Sequence, residues 1–255
     1  MYFLKKIFNK TASERFTKNY LRIYANIDKV EYSDQEKSEL INALKSIADE
    51  FYQKPKLAFD IRGSGYGISK GDETLGIKAF TNRLSQKGLS NLDGVSVQIK
   101  DKNYYSSFSI MTNEYQTLKR VDIEFNWQHE GEESLSFFNN ILRSIVDVVS
   151  IEYAYCYPDN ETLSESGEWR VKTTPLSITS YQTDSEKLWN SSMEQIKDGK
   201  IKKLYPINIF NERQKTSMEW LKREMEILML TDSIEIWKSP KLFREGIKVK
   251  NAIIY

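Results

Sequence analysis

The sequence has little cysteine, little histidine and no long apolar run, and each shortage excludes a class of protein. Its 255 residues include one cysteine, Cys156, and one histidine, His129. A single cysteine excludes an internal disulfide and a cysteine-based zinc site, and it is typical of a reducing compartment. A single histidine excludes every site that needs two. We therefore expect a protein that holds no cofactor and depends on its hydrophobic core.

Neither a secretory signal nor a membrane span is visible in the sequence. The first ten residues, MYFLKKIFNK, are apolar only briefly before Lys5 and Lys6, and they lack the apolar core and cleavage site of a signal peptide. No later run approaches the ~20 apolar residues that a membrane helix needs. We expect a cytoplasmic protein that makes no contact with a membrane.

The chain also lacks a net charge of either sign. Thirty-seven basic residues balance 36 acidic ones, for a formal charge of +1, and 40% of the residues are hydrophobic. Near-neutral charge disfavours nucleic acid as a direct ligand. A chain of this length and composition can bury a proper core and should fold alone.

Helix starts are legible because a capping residue is followed three positions later by Glu or Gln at four places. These pairs are Thr11 with Glu14, Ser33 with Glu36, Thr183 with Glu186, and Asn211 with Gln214. Apolar residues at helical spacing predict amphipathic helices from Ser33 to before Pro55, from Thr74 to Lys87, over 134–150, from Thr183 to Gly199, and from Asn211 through Leu228.

Between these helices the apolar period switches to two, which predicts half-buried strands. The predicted strands cover 57–61, 95–100, 103–112, 118–127, 151–157, 169–173, 201–209, 233–237 and 247–254. Short polar turns between the strands from 95 to 127 predict an antiparallel meander. The fold class is therefore α+β, a mostly antiparallel sheet with amphipathic helices packed on one face. We expect either two related α/β halves, 1–115 and 116–255, or one continuous domain.

The segment GSGYG, at 63–67, follows a predicted strand as phosphate-binding loops do. It does not match G-x-G-x-x-G, because position 68 is Ile, and it lacks the Lys-Ser/Thr of a P-loop. We interpret it as a turn that needs positive φ rather than as a nucleotide site.

His129 and Cys156 lie at the ends of two predicted strands joined by one helix. If those strands are parallel, both residues project at the same edge of the sheet, where an imidazole can activate a thiol. No glycine-rich nucleophile turn surrounds Cys156, however. A buried, unreactive cysteine is the interpretation that we favour.

The middle of the chain is strongly acidic. From Val121 to Glu168 there are eleven acidic residues and one basic residue, Arg143, for a net charge of −10. Three interpretations remain open: a solvated face balanced by lysines elsewhere, a docking surface for a basic protein, and a divalent-metal site on Asp122 and Glu124.

The segment GKIKKLYPINIFNERQ, at 199–214, is followed by the helical SMEWLKREMEIL and by IEIWKSPKLF. This order of a Tyr-Pro-hydrophobic-Asn strand, a capped helix and a strand with Trp237 resembles uncharacterised bacterial immunity-type proteins encoded beside polymorphic toxins. The strand IEYAYCYP resembles theirs as well. The resemblance implies a non-catalytic cytoplasmic protein that binds a cognate toxin domain.

Acidity and resemblance together predict a non-catalytic module that binds another protein through the loops around 127–133 and 158–168. We expect aromatic anchors beside the acidic contacts. The expected partner-binding residues are Trp127, Glu130, Glu132, Glu133, Tyr157, Asp159 and Glu161. The alternatives are a metal-dependent hydrolase that uses Asp122 and Glu124, and a structural subunit without an activity of its own.

Overall fold

A large antiparallel sheet forms the frame of the computed structural model, which describes residues 18–66, 74–99, 102, 104–112, 119–128, 135–159, 169–174, 177–182, 194–201 and 204–238. The strands are β1 Lys18–Lys29, β2 Leu57–Gly63, β3 Leu75–Gly76, β4 Leu92–Ile99, β5 Tyr104–Thr112, β6 Lys119–Gln128, β7 Ile151–Asp159, β8 Trp169–Thr174, β9 Ser177–Gln182, β10 Ile207–Phe210, β11 Glu226–Met229 and β12 Glu235–Lys238. Ten of them form one sheet in the order β11-β12-β10-β7-β1-β6-β5-β4-β2-β3, and β8 pairs with β9 separately. All neighbours are antiparallel.

Five helices accompany the sheet within the described residues. They are α1 Asp34–Tyr52, α2 Ile77–Lys87, α3 Leu135–Val146, α4 Glu194–Lys197 and α5 Glu212–Met218, which continues as a 3-10 helix over Glu219–Glu224. The predicted α+β class with a mostly antiparallel sheet is confirmed. None of the helices in this part of the chain combines the length and apolar character that crossing a bilayer requires.

Helix α1 begins and packs as its sequence predicts. The Ser33 hydroxyl accepts from the Glu36 backbone N–H, while the Glu36 carboxylate accepts from the Ser33 N–H, which completes a capping box. Leu40, Leu44 and Ile47 lie on one stripe and are fully buried against the sheet. Capping and apolar spacing agree here, so local sequence determines the element.

Strand β1 lies near the middle of the sheet, and the sequence analysis missed it. Its register places it between β6 and β7. Leu21, Ile23 and Ala25 lie in the main core, whereas Tyr24 between them lies on the other face of the sheet. This period of two is typical of a strand. The helix expected to open at Thr11 lies outside the described residues.

Because β1 is antiparallel to both β6 and β7, the latter two are parallel to each other. Helix α3 connects them, as the sequence analysis anticipated in its conditional β-α-β unit. Strands β5 and β6, on either side of the expected division near residue 115, are neighbours in the same sheet.

A second apolar cluster lies on the face of the sheet opposite α1. In β7, Ala154 and Cys156 belong to the main core, whereas Tyr153 and Tyr155 belong to the second cluster. The other members are Tyr24, Ile196, Ile201, Tyr205, Phe210, Met218, Leu221 and Trp237. The chain from α4 to the 3-10 helix thus covers part of the second face.

The predicted helix from Asn211 through Leu228 is wrong at its C-terminal end, after the 3-10 helix that ends at Glu224. Asn211 caps α5 by accepting from the Arg213 N–H, but Leu228 lies on the edge strand β11, opposite Ile236. Pairing with β12 overrides the helical spacing of the apolar residues. The strand predicted over 201–209 begins only at Ile207, and the strand at 247–254 and the helix start at Thr183 lie outside the described residues.

The contrast between two tryptophans tests this packing. Trp127 is 1% exposed, whereas Trp220 is 55% exposed. We expect Trp127→Ala to lower the free energy of unfolding by about 3–5 kcal/mol, because it leaves a cavity in the core. Urea denaturation is the measurement. Trp220→Ala is the control, with a change of about 0.5 kcal/mol or less, and equal losses would contradict the structure.

Candidate functional site at one end of the sheet

The two strands that precede the acid-rich segments of the sequence end on the same side of the sheet. Gln128, the last residue of β6, and Asp159, the last of β7, both lie opposite Lys18 of β1. One strand separates them, so the two chains leave the sheet about 10 Å apart. We call this region the acidic end. The backbone of β7 also places Tyr157 opposite Tyr20.

Most of the predicted contact residues follow these two strands in the sequence. His129, Glu130, Glu132, Glu133 and Glu161 lie outside the described residues. The strand ends that precede them, Gln128 and Asp159, are described and serve as their attachment points to the sheet. The structure brings the two attachment points together, which the sequence indicated only on the condition that β6 and β7 are parallel.

Trp127 is not an exposed anchor, which corrects its predicted role. Its ring lies 5.9 Å from the Phe51 ring and 6.1 Å from the Phe138 ring, centre to centre. Tyr104 joins the cluster with its ring 5.4 Å from Phe51, and burial raises the pKa of Tyr104 above its usual range. An aromatic side chain on the apolar face of a strand is taken up by the core. Trp127 therefore packs the end of β6 against α1 and α3.

Asp122 is buried and engaged by two arginines. Its Oδ1 lies 2.6 Å from Arg120 Nε, and its Oδ2 lies 3.2 Å from a terminal nitrogen of Arg22. Glu124 lies 3.5 Å from the other terminal nitrogen of Arg22. Both guanidinium groups also lie over the Tyr24 ring, at 5.3 and 5.4 Å from its centre. These residues form a closed ion cluster on the face opposite α1.

The ion cluster pairs two acids of the acidic region, Asp122 and Glu124, with arginines of the same fold. Burial opposes the ionisation of Arg22, but the groups around it, Tyr24, Tyr20 and Asp122, raise its pKa above the ordinary value. Glu152, another acid of the same region, accepts a hydrogen bond from Asn211 at 3.1 Å. Asp122, Glu124 and Glu152 are therefore partnered within the fold.

The metal hypothesis for Asp122 and Glu124 fits this donor set poorly. Both oxygens of Asp122 already face guanidinium groups, and a cation there would have to displace two buried positive charges. Within the described part of the chain, no group of three His, Cys, Asp or Glu side chains is close enough to hold a metal ion.

Cys156 lies inside the main core. It is 2% exposed and sits opposite Leu21 of β1 and Ile207 of β10. A reactive thiol needs access and a stabilised thiolate. The enclosed position is that of a structural cysteine, in agreement with the interpretation that we favoured.

The GSGYG segment forms a turn at the end of β2. Gly63 and Gly65 have φ of 152° and 83°. A Cβ on Gly63 would lie 2.1 Å from the Asn91 carbonyl oxygen, so the close approach itself requires glycine. The Tyr66 hydroxyl donates to the Gly88 carbonyl. The glycines thus serve a close contact in the fold at the described positions.

A groove of about 650 Å³ was not predicted from the sequence. It is bounded by the end of α1, the connection to β2 and the first turn of α2. Its lining residues are Lys45, Asp49, Lys54, Pro55, Lys56, Leu57, Gly76, Ile77, Lys78 and Ala79. We call it the lysine groove. The Lys-Pro-Lys triplet at 54–56 is a sequence signal, but the residues from α2 join it only through the fold.

No protein-family model matches the sequence, and no curated protein matches it either.

The ion cluster leads to a test of its role in stability. Asp122→Ala leaves Arg22 and Arg120 buried without their shared carboxylate, so we expect the free energy of unfolding to fall by about 3–5 kcal/mol. Glu124→Ala is the control, because its side chain is 30% exposed and its pair with Arg22 is worth about 1 kcal/mol or less. Thermal and urea denaturation of both variants make the comparison. Similar losses in the two would argue against the cluster.

Proposed function

We propose that this chain is a non-catalytic protein-binding module that takes a basic partner through its acidic end. The observation that supports this proposal is the placement of Gln128 and Asp159 opposite the same residue of β1. Two segments rich in carboxylates therefore start from neighbouring points on one rigid frame. Like charges gathered in one region raise the local potential and steer an oppositely charged partner.

The acids that follow these two strands are the contacts that we propose. They are Glu130, Glu132 and Glu133 after β6, and Asp159 and Glu161 at and after β7. Other acids of the region, Asp122 and Glu152, are engaged inside the fold. We therefore propose that the acids after β6 and β7, rather than these two, meet the partner.

The frame at the end of β6 is well packed. Trp127 is held between Phe51 and Phe138, one residue before β6 ends. A frame that is already ordered adds little to the conformational entropy lost when a partner binds.

The resemblance to immunity-type proteins suggests the kind of partner. A nuclease-type toxin domain carries positive charge because its own ligand is a polyanion. We propose that such a domain is the cognate partner, and that the complex neutralises it by occupying its basic surface.

The structural-subunit alternative makes a different prediction about salt. An association through the acidic end weakens as ionic strength rises, because the Debye length falls from about 10 Å at 0.1 M to about 3 Å at 1 M salt. A permanent subunit held by a large apolar interface does not dissociate in this way.

The test is affinity purification of the tagged protein from its native cells at low and high salt, with mass spectrometry of what co-elutes. We expect one stoichiometric basic partner that is lost at high salt. The variant Glu130→Lys/Glu132→Lys/Glu133→Lys should weaken its binding by about tenfold or more at low salt, because attraction becomes repulsion.

The matched control reverses three exposed acids elsewhere, as Glu39→Lys/Asp93→Lys/Asp232→Lys. It makes the same change in net charge and should retain the partner. Circular dichroism verifies that both variants fold. Equal retention of the partner by both variants, or equal loss, would refute the acidic end as the docking surface.

A further inference from the structure

The lysine groove carries a charge opposite to that of the acidic end. Lys45, Lys54, Lys56 and Lys78 line it, against one acidic residue, Asp49. None of the ion pairs among the described residues involves any of these four lysines. Among the described lining residues, positive side chains therefore outnumber negative ones by three.

Apolar side chains line the groove together with these lysines. Leu57, Pro55, Ile77 and Ala79 contribute hydrocarbon, and Ile77 is 51% exposed. The helical spacing in the sequence places Ile77 in step with Phe80, which is 3% exposed. Ile77 lines the groove instead. Its apolar side chain is therefore available to contact a ligand there.

The start of helix α2 also lies at the groove. Helix α2 begins at Ile77, and its N-cap, Gly76, makes no side-chain capping hydrogen bond. The partial positive charge of that helix end adds to the charge of the lysines.

The chemistry of the lining selects among anionic ligands. Among the described residues that line the groove there is no aromatic ring, on which a nucleobase would stack. Point-like ammonium groups around an apolar wall suit carboxylates that flank an apolar side chain. The volume of about 650 Å³ is within the range of roughly 300–1,000 Å³ seen for ligand sites.

We propose that the lysine groove is a docking site for an acidic peptide segment of a partner protein. Its carboxylates pair with Lys54, Lys56 and Lys78, and an apolar side chain between them lies against Leu57 and Ile77.

The site does not depend on the proposed function of the acidic end. Strand β2 is three positions from β6 in the sheet, about 14 Å away, which exceeds the Debye length at physiological salt.

Calorimetric titration of the full chain with the blocked peptide Glu-Glu-Leu-Glu-Glu tests the proposal. The key variant is Lys78→Glu, because an acid in the first turn of α2 is favourable for the helix and weakened binding cannot be attributed to unfolding. We expect it to lower the affinity about fivefold or more at low salt. Lys87→Glu, an exposed reversal in the last turn of the same helix, should bind as the unsubstituted chain does.

Two further peptides separate charge from apolar contact. Replacing each glutamate by glutamine should abolish binding, and replacing the leucine by serine should weaken it. No binding by the unsubstituted chain, equal affinity of the Lys78→Glu and Lys87→Glu variants, or unchanged binding of the glutamine peptide would each overturn the proposal. Co-sedimentation with phosphatidylserine vesicles that Lys78→Glu abolishes, without peptide binding, would assign the groove to a membrane surface instead.

Discussion

Strand β1 enters the sheet between β6 and β7, and both of its edges are paired from Lys18 to Ala25. Its partners are far away in sequence: Arg22 lies opposite Glu124 on one side and Tyr155 on the other. Bringing such distant segments together costs loop-closure entropy, and only the contacts of the completed sheet offset this cost. The parallel relation of β6 and β7, and with it the acidic end, follows from this one placement.

The same placement distributes the buried charges. Arg22 reaches the sheet on β1 and meets Asp122 of β6, which Arg120 also binds. A carboxylate buried between two guanidinium groups is compatible with the fold because each charge has a partner. This arrangement removes Asp122 from the set of acids that a ligand can use.

Two regions of opposite charge then lie at one end of the molecule. Pairing places Leu57, Ile99, Tyr104 and Trp127 in one row across β2, β4, β5 and β6. The lysine groove adjoins the first residue of this row, and the acidic end follows the last. Helix α1 links them physically, since its final turn packs Phe51 on Trp127 and its end lines the groove. A partner with a patterned surface would find both signs of charge on a single rigid base.

The sequence by itself determined the elements whose local signals agree: α1 through its capping box and apolar stripe, α2 through its end at Gly88, and the strands β2, β4, β5, β6 and β7 through their alternation. It also indicated the α+β class. Only the tertiary structure decided that β1 is central, that Leu228 lies on a strand, that Asp122 is buried, and that four lysines share a groove. These features depend on partners distant in sequence, and cross-strand hydrogen bonds, ion pairs and packing between such partners leave no mark on local periodicity or charge counts.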